Sequence, residues 1–282
     1  MSRTSGTATA RAARGPALGR APYLLLVPAV LAVAFLVVPL AALLLRAPWG
    51  DVLSTLADPA VRDALRLSLL TATAAVAVVV VVGIPLAWLL ARVAFPGRSL
   101  VRALVVVPLV LPPVVAGVGL LSAFGRRGVI GGPLYDALGV SLPYTTQAVV
   151  VAHAFVALPF FVISVEGALR AGNADLDVVA ATLGADRWTT FRRVSLPLAA
   201  PGLLAGTVLA WARALGEFGA TITFAGNYPG TTRTMPNAIY VLLQSDPEAA
   251  VMLGVILLVV CVAILALLRE QWFDLGIRGP RP

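Results

Sequence analysis

Six long apolar runs, separated by short charged stretches, dominate the hydrophobic pattern of the chain. Each run approaches or exceeds the roughly 20 residues that an α-helix needs to cross a bilayer. None shows the strict alternation of apolar and polar positions that membrane-barrel strands have. The pattern therefore predicts an all-α, polytopic membrane protein with six transmembrane helices. The runs cover residues 21–45, 67–91, 103–124, 146–165, 198–218 and 249–268.

Prolines interrupt the third run. Pro108, Pro112 and Pro113 lie within it, and proline inside a helix removes a hydrogen bond and clashes with the preceding turn. We therefore expect a break or kink here, which either shapes a cavity or only bends the helix.

Composition supports a lipid environment. Of the 282 residues, 60% are hydrophobic and 12% are charged, and the mean hydropathy is +0.95. A soluble domain carries about 25% charged residues, so a water-covered surface is excluded. The one cysteine, Cys261, lies inside the sixth run. That position favours a packing role and excludes a disulfide framework or a cysteine metal cluster.

The distribution of arginine predicts the orientation, because the cytoplasmic loops of membrane proteins carry the excess of basic residues. The side that holds the N-terminal tail has more arginines than the other, so both termini are predicted in the cytoplasm. The fourteen on the tail side are Arg3, Arg11, Arg14, Arg20, Arg92, Arg98, Arg102, Arg170, Arg187, Arg192, Arg193, Arg269, Arg278 and Arg281. The six opposite are Arg46, Arg62, Arg66, Arg126, Arg127 and Arg233. Because these arginines flank apolar runs, the net charge of +8 requires no nucleic-acid partner.

The ends of the chain are predicted as tails around one membrane domain. Residues 1–19 are polar and low in large apolar side chains, which is typical of disorder. The first apolar run is longer than the core of a cleaved signal peptide, which favours a membrane anchor. The expected organisation is a disordered cytoplasmic tail at 1–19, a membrane domain at 20–270 and a cytoplasmic tail at 271–282.

The chain contains no lysine, since all 21 basic residues are arginine. A phosphate-binding loop of the Walker A type needs a lysine, so any ATP hydrolysis must occur on another polypeptide. No pairing of nucleophile and base stands out either. The sequence predicts no catalytic residues, no metal and no cofactor.

The stretch between the fourth and fifth runs predicts two short helices at the membrane surface. Four apolar residues follow helical spacing and form a stripe, Gly184 suits a helix C-terminus, and Asp186 suits the N-cap of a second helix. Trp188, Phe191 and Val194 form the apolar side of that second helix. Such a pair either lies among lipid headgroups or docks a cytoplasmic partner. The stripe consists of Leu176, Val179, Ala180 and Leu183.

This stretch resembles the coupling motif of permeases in binding-protein-dependent ABC importers, with its glycine, aliphatic residue and Leu-Pro at the expected spacing. Val178 and Val179 replace the Glu and first Ala of that motif, and Asp177 stands one residue earlier. The resemblance implies that residues 175–196 are coupling helices seated in a cleft of an ATPase subunit. The implied coupling residues are Asp177, Val178, Val179, Ala180, Gly184, Asp186, Arg187, Val194, Leu196 and Pro197.

Charged residues in the fifth run are the second candidate site. Ionisable groups within a membrane are costly and are usually paired or functional. Arg213 and Glu217 are four apart, so we expect them on one helix face within pairing distance. They are either a buried ion pair that fixes packing or part of an anion path or gate, with Thr221, Thr223 and Asn227 as neutral polar groups.

The run from Arg213 to Tyr240 resembles the molybdate permeases of the ABC class and, less closely, the sulfate/thiosulfate permeases. The shared core is Arg213, Leu215, Gly216, Glu217, Phe218 and Gly219. The resemblance implies the type I permease fold in a bacterial plasma membrane, working as a homodimer. It also implies a cytoplasmic ATP-binding subunit, an extracytoplasmic molybdate-binding protein, and molybdate or tungstate as cargo.

Two other classes of function remain as alternatives. A secondary transporter or channel would work without an ATPase partner. A membrane enzyme or anchor would show a polar catalytic cluster at one membrane face. Within the fourth run, His153 is either a proton relay or, as we expect, a hydrogen-bonded packing residue.

Overall fold

A computed structural model describes residues 23–172 and 175–277, with side chains described to residue 266. The regular structure in these ranges is helical, as the sequence predicts. The α-helices are α1 (Tyr23–Arg46), α2 (Val52–Ala57), α3 (Pro59–Arg92), α4 (Arg98–Val110), α5 (Pro113–Phe124), α6 (Gly131–Leu138), α7 (Thr146–Ala171), α8 (Asp175–Thr182), α9 (Arg187–Thr190), α10 (Leu196–Leu198), α11 (Ala200–Leu215), α12 (Gly219–Phe224), α13 (Met235–Ser245) and α14 (Pro247–Ile277). A 3₁₀ turn at Trp49–Asp51 precedes α2, and a π-helical turn at Phe191–Ser195 joins α9 to α10.

The chain divides into two units, residues 1–46 and 47–282. The first contains α1, which has 24 residues and is therefore about 36 Å long. Its apolar side chains are exposed on every face, which suits hydrocarbon. The predicted run at 21–45 is confirmed as a helix from Tyr23 onwards. The predicted tail at 1–19 lies outside the described residues.

The core of the second unit lies among α3, α7 and α11. Small side chains make close helix packing possible in a membrane, and Ala72, Ala87, Ala157, Ala210 and Ala214 are all buried there. The helix α3 is longer than predicted from the run at 67–91. It begins at Pro59 because the side chain of Asp58 caps it, accepting a hydrogen bond from the backbone N–H of Ala60 at 2.8 Å.

The third apolar run is broken, as its prolines predict. The chain bends by 119° between helices α4 and α5. The break falls at Leu111 and Pro112, whose ψ angles are 132° and 134°, because a residue that precedes proline is driven out of the helical region. Pro108 lies inside α4 without breaking it.

A second bend lies at the start of the fifth run, where the chain turns by 69° between the segment Arg187–Leu198 and α11. Within the described residues, four helices are long and apolar enough to cross a membrane, and up to six spans result if each bent pair counts as one. Helix α14 runs to Ile277, past the predicted end of the sixth run; residues 278–282 of the predicted C-terminal tail lie outside the described residues. The side on which the termini lie stays a prediction.

Candidate coupling segment and permeation helix

The predicted surface helices are present at residues 175–198, which we call the coupling segment. Helix α8 exposes its apolar stripe: Leu176 is 41%, Val179 is 51% and Leu183 is 83% exposed. Gly184 ends the helix with a φ of +85°, a backbone conformation that favours glycine. The prediction of a helix stop at Gly184 is confirmed.

Asp186 starts the second helix of the segment, also as predicted. Its side chain accepts a hydrogen bond from the backbone N–H of Thr189 at 2.6 Å. Hydrogen bonds from the side chain and then the backbone of Thr189 hold the pKa of the Asp186 carboxyl below its ordinary value. On the apolar side of this helix, the ring of Phe191 lies 5.8 Å from Trp88 of α3 and 5.5 Å from Trp188. Asp186 therefore fixes where the helix begins, and Phe191 seats it against α3.

Asp177 is turned into the protein. One of its carboxylate oxygens lies 3.1 Å from Nε of Arg92, an ion pair whose angle falls short of a hydrogen bond. The other accepts a hydrogen bond from the hydroxyl of Ser195 at 3.0 Å. The carboxylate nearest to the motif position is thus engaged within the chain.

Further arginines join the helix ends next to the coupling segment. Glu166 of α7 pairs with Arg102 of α4 at 2.6 Å and with Arg170 at 3.0 Å. Arg98 donates to the carbonyl of Leu90 at the end of α3. The sequence analysis missed Glu166 and Arg102; the available signal was an acidic residue at the end of the fourth run, four residues before an arginine.

Arg213 and Glu217 form the predicted ion pair, with 2.6 Å between a guanidinium nitrogen and a carboxylate oxygen. The expectation of one continuous helix face is wrong, because α11 ends at Leu215 and the backbone breaks at Gly216. Glu217 is 1% exposed and also accepts the backbone N–H of Ala220 at 2.7 Å. One oxygen of the Glu217 carboxylate therefore pairs with Arg213 near the end of α11, and the other accepts a hydrogen bond from the first turn of α12.

Arg213 lies on the open side of α11. Pro201, Leu209 and Gly216 are exposed and Ala205 and Arg213 half-buried, and these positions recur at intervals of three or four residues. They form one stripe along the helix, which we call the α11 stripe. The side chain of Arg213 is 27% exposed whereas that of Glu217 is 1% exposed, so the cation and not the carboxylate faces the open side.

The other predicted path residues have internal contacts. The hydroxyl of Thr223 donates to the carbonyl of Gly219 at 2.8 Å, and the side-chain oxygen of Asn227 accepts from Arg233 at 3.1 Å. Thr221 is fully buried, and its hydroxyl has no hydrogen-bond partner within the described residues. The structure brings Arg213 and Glu217 together and assigns Thr223 and Asn227 to local contacts.

Residues 219–248, between the fifth and sixth apolar runs, are largely folded. They contain α12 and α13, and Thr232, Thr234 and Asn237 are completely buried. The hydroxyl oxygen of Ser68 in α3 accepts the backbone N–H of Met235 at 2.7 Å, and this bond ties α13 to the helix core. The sequence analysis had no signal for this packing, because the segment reads as polar and rich in Gly and Pro.

His153 differs from its expectation. It is fully buried in α7, but neither ring nitrogen has a hydrogen-bond partner within the described residues. The expectation that His153 is hydrogen-bonded is therefore wrong within the described residues, whereas its burial agrees with the expected packing role.

Comparison with solved structures identifies the architecture. The structure of a bacterial ABC transporter that imports the acidic polysaccharide alginate matches with a TM-score of 0.73 at 20% identity, over 91% of this chain and 96% of that chain. At this identity the match shows the fold, which is that of an ABC importer permease. A structure of an alginate ABC transporter in complex with a periplasmic protein that holds an alginate pentasaccharide matches equally well, with a TM-score of 0.73.

Sequence comparison gives the family. The model of the binding-protein-dependent transport system inner membrane component matches residues 83–278. The chain belongs to this family and is a multi-pass protein of the cell membrane. Among named relatives, the molybdenum transport system permease protein ModB of Mycobacterium tuberculosis is 48% identical over 86% of this chain and 92% of its own length. ModB of Escherichia coli is 43% identical over 74% and 92%. The sulfate transport system permease protein CysT of Escherichia coli is 38% identical over 79% and 82%.

Proposed function

We propose that this chain is the membrane-spanning subunit of an ATP-driven importer of molybdate. The observation that carries the proposal is the 48% identity to a molybdenum permease, which extends over 86% of this chain and 92% of that relative. The sulfate permease CysT, at 38% over 79%, supports sulfate as the second candidate cargo. The fold supports a transport role without catalysis by this subunit itself.

The α11 stripe supports a path for an anion between two copies of the chain. An arginine that faces lipid is costly, so the stripe that contains Arg213 borders either another subunit or a water-filled path. In a homodimer both conditions hold, because two stripes face each other across the path. Glu217 neutralises much of the charge of Arg213, which keeps an oxyanion from binding so tightly that it cannot leave. Thr221, Thr223 and Asn227 belong to the proposed gate region beside this pair.

The exposed stripe of α8 supports docking to an ATPase. Leu176 and Val179 lie on a helix that buries none of its residues, and Leu183 follows it and is also exposed, so this surface is free for a partner with an apolar cleft. Val178, Ala180, Arg187, Val194, Leu196 and Pro197 complete the proposed coupling surface. The coupling segment, and both termini with it, is proposed to lie in the cytoplasm, with a molybdate-binding protein at the opposite face.

The test is uptake of labelled molybdate by proteoliposomes that contain the permease with its ATP-binding subunit and binding protein. We expect ATP-dependent uptake in which unlabelled molybdate and tungstate compete strongly and sulfate and thiosulfate weakly. Equal or stronger competition by sulfate would replace molybdate with the second candidate. Uptake at the same rate without the ATP-binding subunit would support a secondary transporter or channel and overturn the proposal.

A further inference from the structure

We propose that Asp177 and Arg92 are positioning residues that transmit movement of the coupling segment to α3. The inference rests on the proposed function, because it assumes that an ATPase moves this segment. It adds that Asp177 acts inside the chain and makes no contact with the ATPase.

Helix α8 is held in place with little apolar burial. None of its eight residues is buried, so apolar burial contributes little to its position. A groove of about 680 Å³ separates α8 from the end of α3, and Asp177 and Arg92 both line it. The ion pair between these two side chains, at 3.1 Å, bridges the groove.

The carboxylate of Asp177 has two partners, which lie on different elements. Arg92 is the last residue of α3, and Ser195 ends the π-helical turn that leads through α10 to α11. Asp177 pairs with Arg92 and accepts a hydrogen bond from the hydroxyl of Ser195, with 3.0 Å between the two oxygens. Movement of α8 therefore pulls on the core helix α3 and on the entry to the permeation helix α11 together.

The side chains of Asp177 and Val178 differ in their exposure to solvent. Val178 lines the same groove as Asp177, but successive residues of a helix point about 100° apart, so the two positions differ in how far they face solvent. Val178 is 63% exposed, whereas the side chains of Asp177 and Arg92 are 24% and 15% exposed. The one-residue displacement of the acidic residue thus exchanges an outward charge for an inward link that is partly shielded from salt.

The experiment is a double-mutant cycle with Asp177→Asn, Arg92→Gln and the double variant in the reconstituted complex. We measure both ATP hydrolysis and labelled molybdate uptake. Each single variant is expected to lower the molybdate carried per ATP by about fivefold, and the double variant by no more than either single, as for residues that act through one contact. Asp177→Glu, which keeps the charge, is expected to recover part of the coupling. Asp136→Asn and Arg62→Gln, exposed residues outside the coupling segment and away from the pair, are the matched controls and should leave the ratio unchanged.

Three results would overturn the inference. The first is loss of ATPase association in Asp177→Asn with normal behaviour of Arg92→Gln, since this would mean that Asp177 contacts the ATPase. The second is additive loss in the double variant. The third is a lower yield of folded protein in the single variants with an unchanged uptake per ATP, since this would mean a role in folding alone. Absence of uptake by the unmodified complex would instead contradict the proposed function, so the two failures are distinguishable.

Discussion

The coupling segment and the α11–α12 junction are stabilised by opposite means. Helix α8 of the coupling segment exposes its apolar side chains and is fixed by an ion pair and a hydrogen bond of Asp177. The junction buries the carboxylate of its ion pair and is fixed by close backbone packing, since α12 lies directly against α5. A segment held by a few polar contacts can shift without disturbing a packed core, whereas a close-packed junction keeps its geometry. On the proposed function, the coupling segment is the region that moves and the junction is the region that holds the path.

The largest expected effect comes from Glu217→Gln at the junction. The variant leaves the half-buried guanidinium of Arg213 without its counter-charge, which we expect to cost about 3 kcal/mol of stability. Thermal unfolding in detergent, followed by tryptophan fluorescence, measures it. The control is the double variant Arg213→Gln/Glu217→Gln, which removes both charges and should regain most of the loss; equal instability of the double variant would show that charge pairing is not the cause.

A somewhat smaller effect is expected from Gly117→Val in α5. A Cβ atom at Gly117 would lie 2.6 Å from Cβ of Thr223 and 2.9 Å from the carbonyl oxygen of Ala220, so α12 has to move. Overpacking of this kind costs about 2 kcal/mol. Gly119→Val, two residues further along the same helix and with nothing within 4 Å of its Cβ position, is the matched control, and similar unfolding temperatures for the two variants would disprove close packing.

The ion pairs of Glu166, next to the coupling segment, should contribute less to stability than the pair of Arg213 and Glu217. Glu166→Gln removes the carboxylate that joins Arg102 and Arg170, whose side chains are 38% and 47% exposed. Because solvent screens such pairs, we expect a loss of about 1 kcal/mol. Chemical unfolding compared with Glu248→Gln, an exposed carboxylate, measures the difference. A loss as large as that of Glu217→Gln would remove the contrast between the two regions.

The smallest effect on folding is expected from Leu183→Asn. Leu183 is 83% exposed, so the stability of the isolated permease should change by less than about 0.5 kcal/mol. Uptake by the complex should nevertheless fall, because the proposed docking surface loses an apolar side chain. Co-purification with the ATP-binding subunit, alongside thermal unfolding, separates the two readouts. Unchanged association with the ATPase would argue that α8 faces lipid headgroups.

Local signals made much of this fold predictable. Leu111 and Pro112 break the third run because of their neighbours in sequence, and Gly184 and Asp186 place the ends of the surface helices for the same reason. Contacts between distant residues were not predictable, because nothing in the local pattern selects them. Arg92 pairs with Asp177 and Arg102 with Glu166 only after the helices pack. The burial of Thr234 and Asn237 depends on α3 in the same way.

On the proposed function, this chain forms the path of an ATP-driven molybdate importer. Labelled molybdate uptake by proteoliposomes, measured with and without the ATP-binding subunit at saturating ATP, tests it most directly. We expect uptake only when the permease, the ATP-binding subunit, the binding protein and ATP are all present. Uptake that persists at an undiminished rate without the ATP-binding subunit would contradict it.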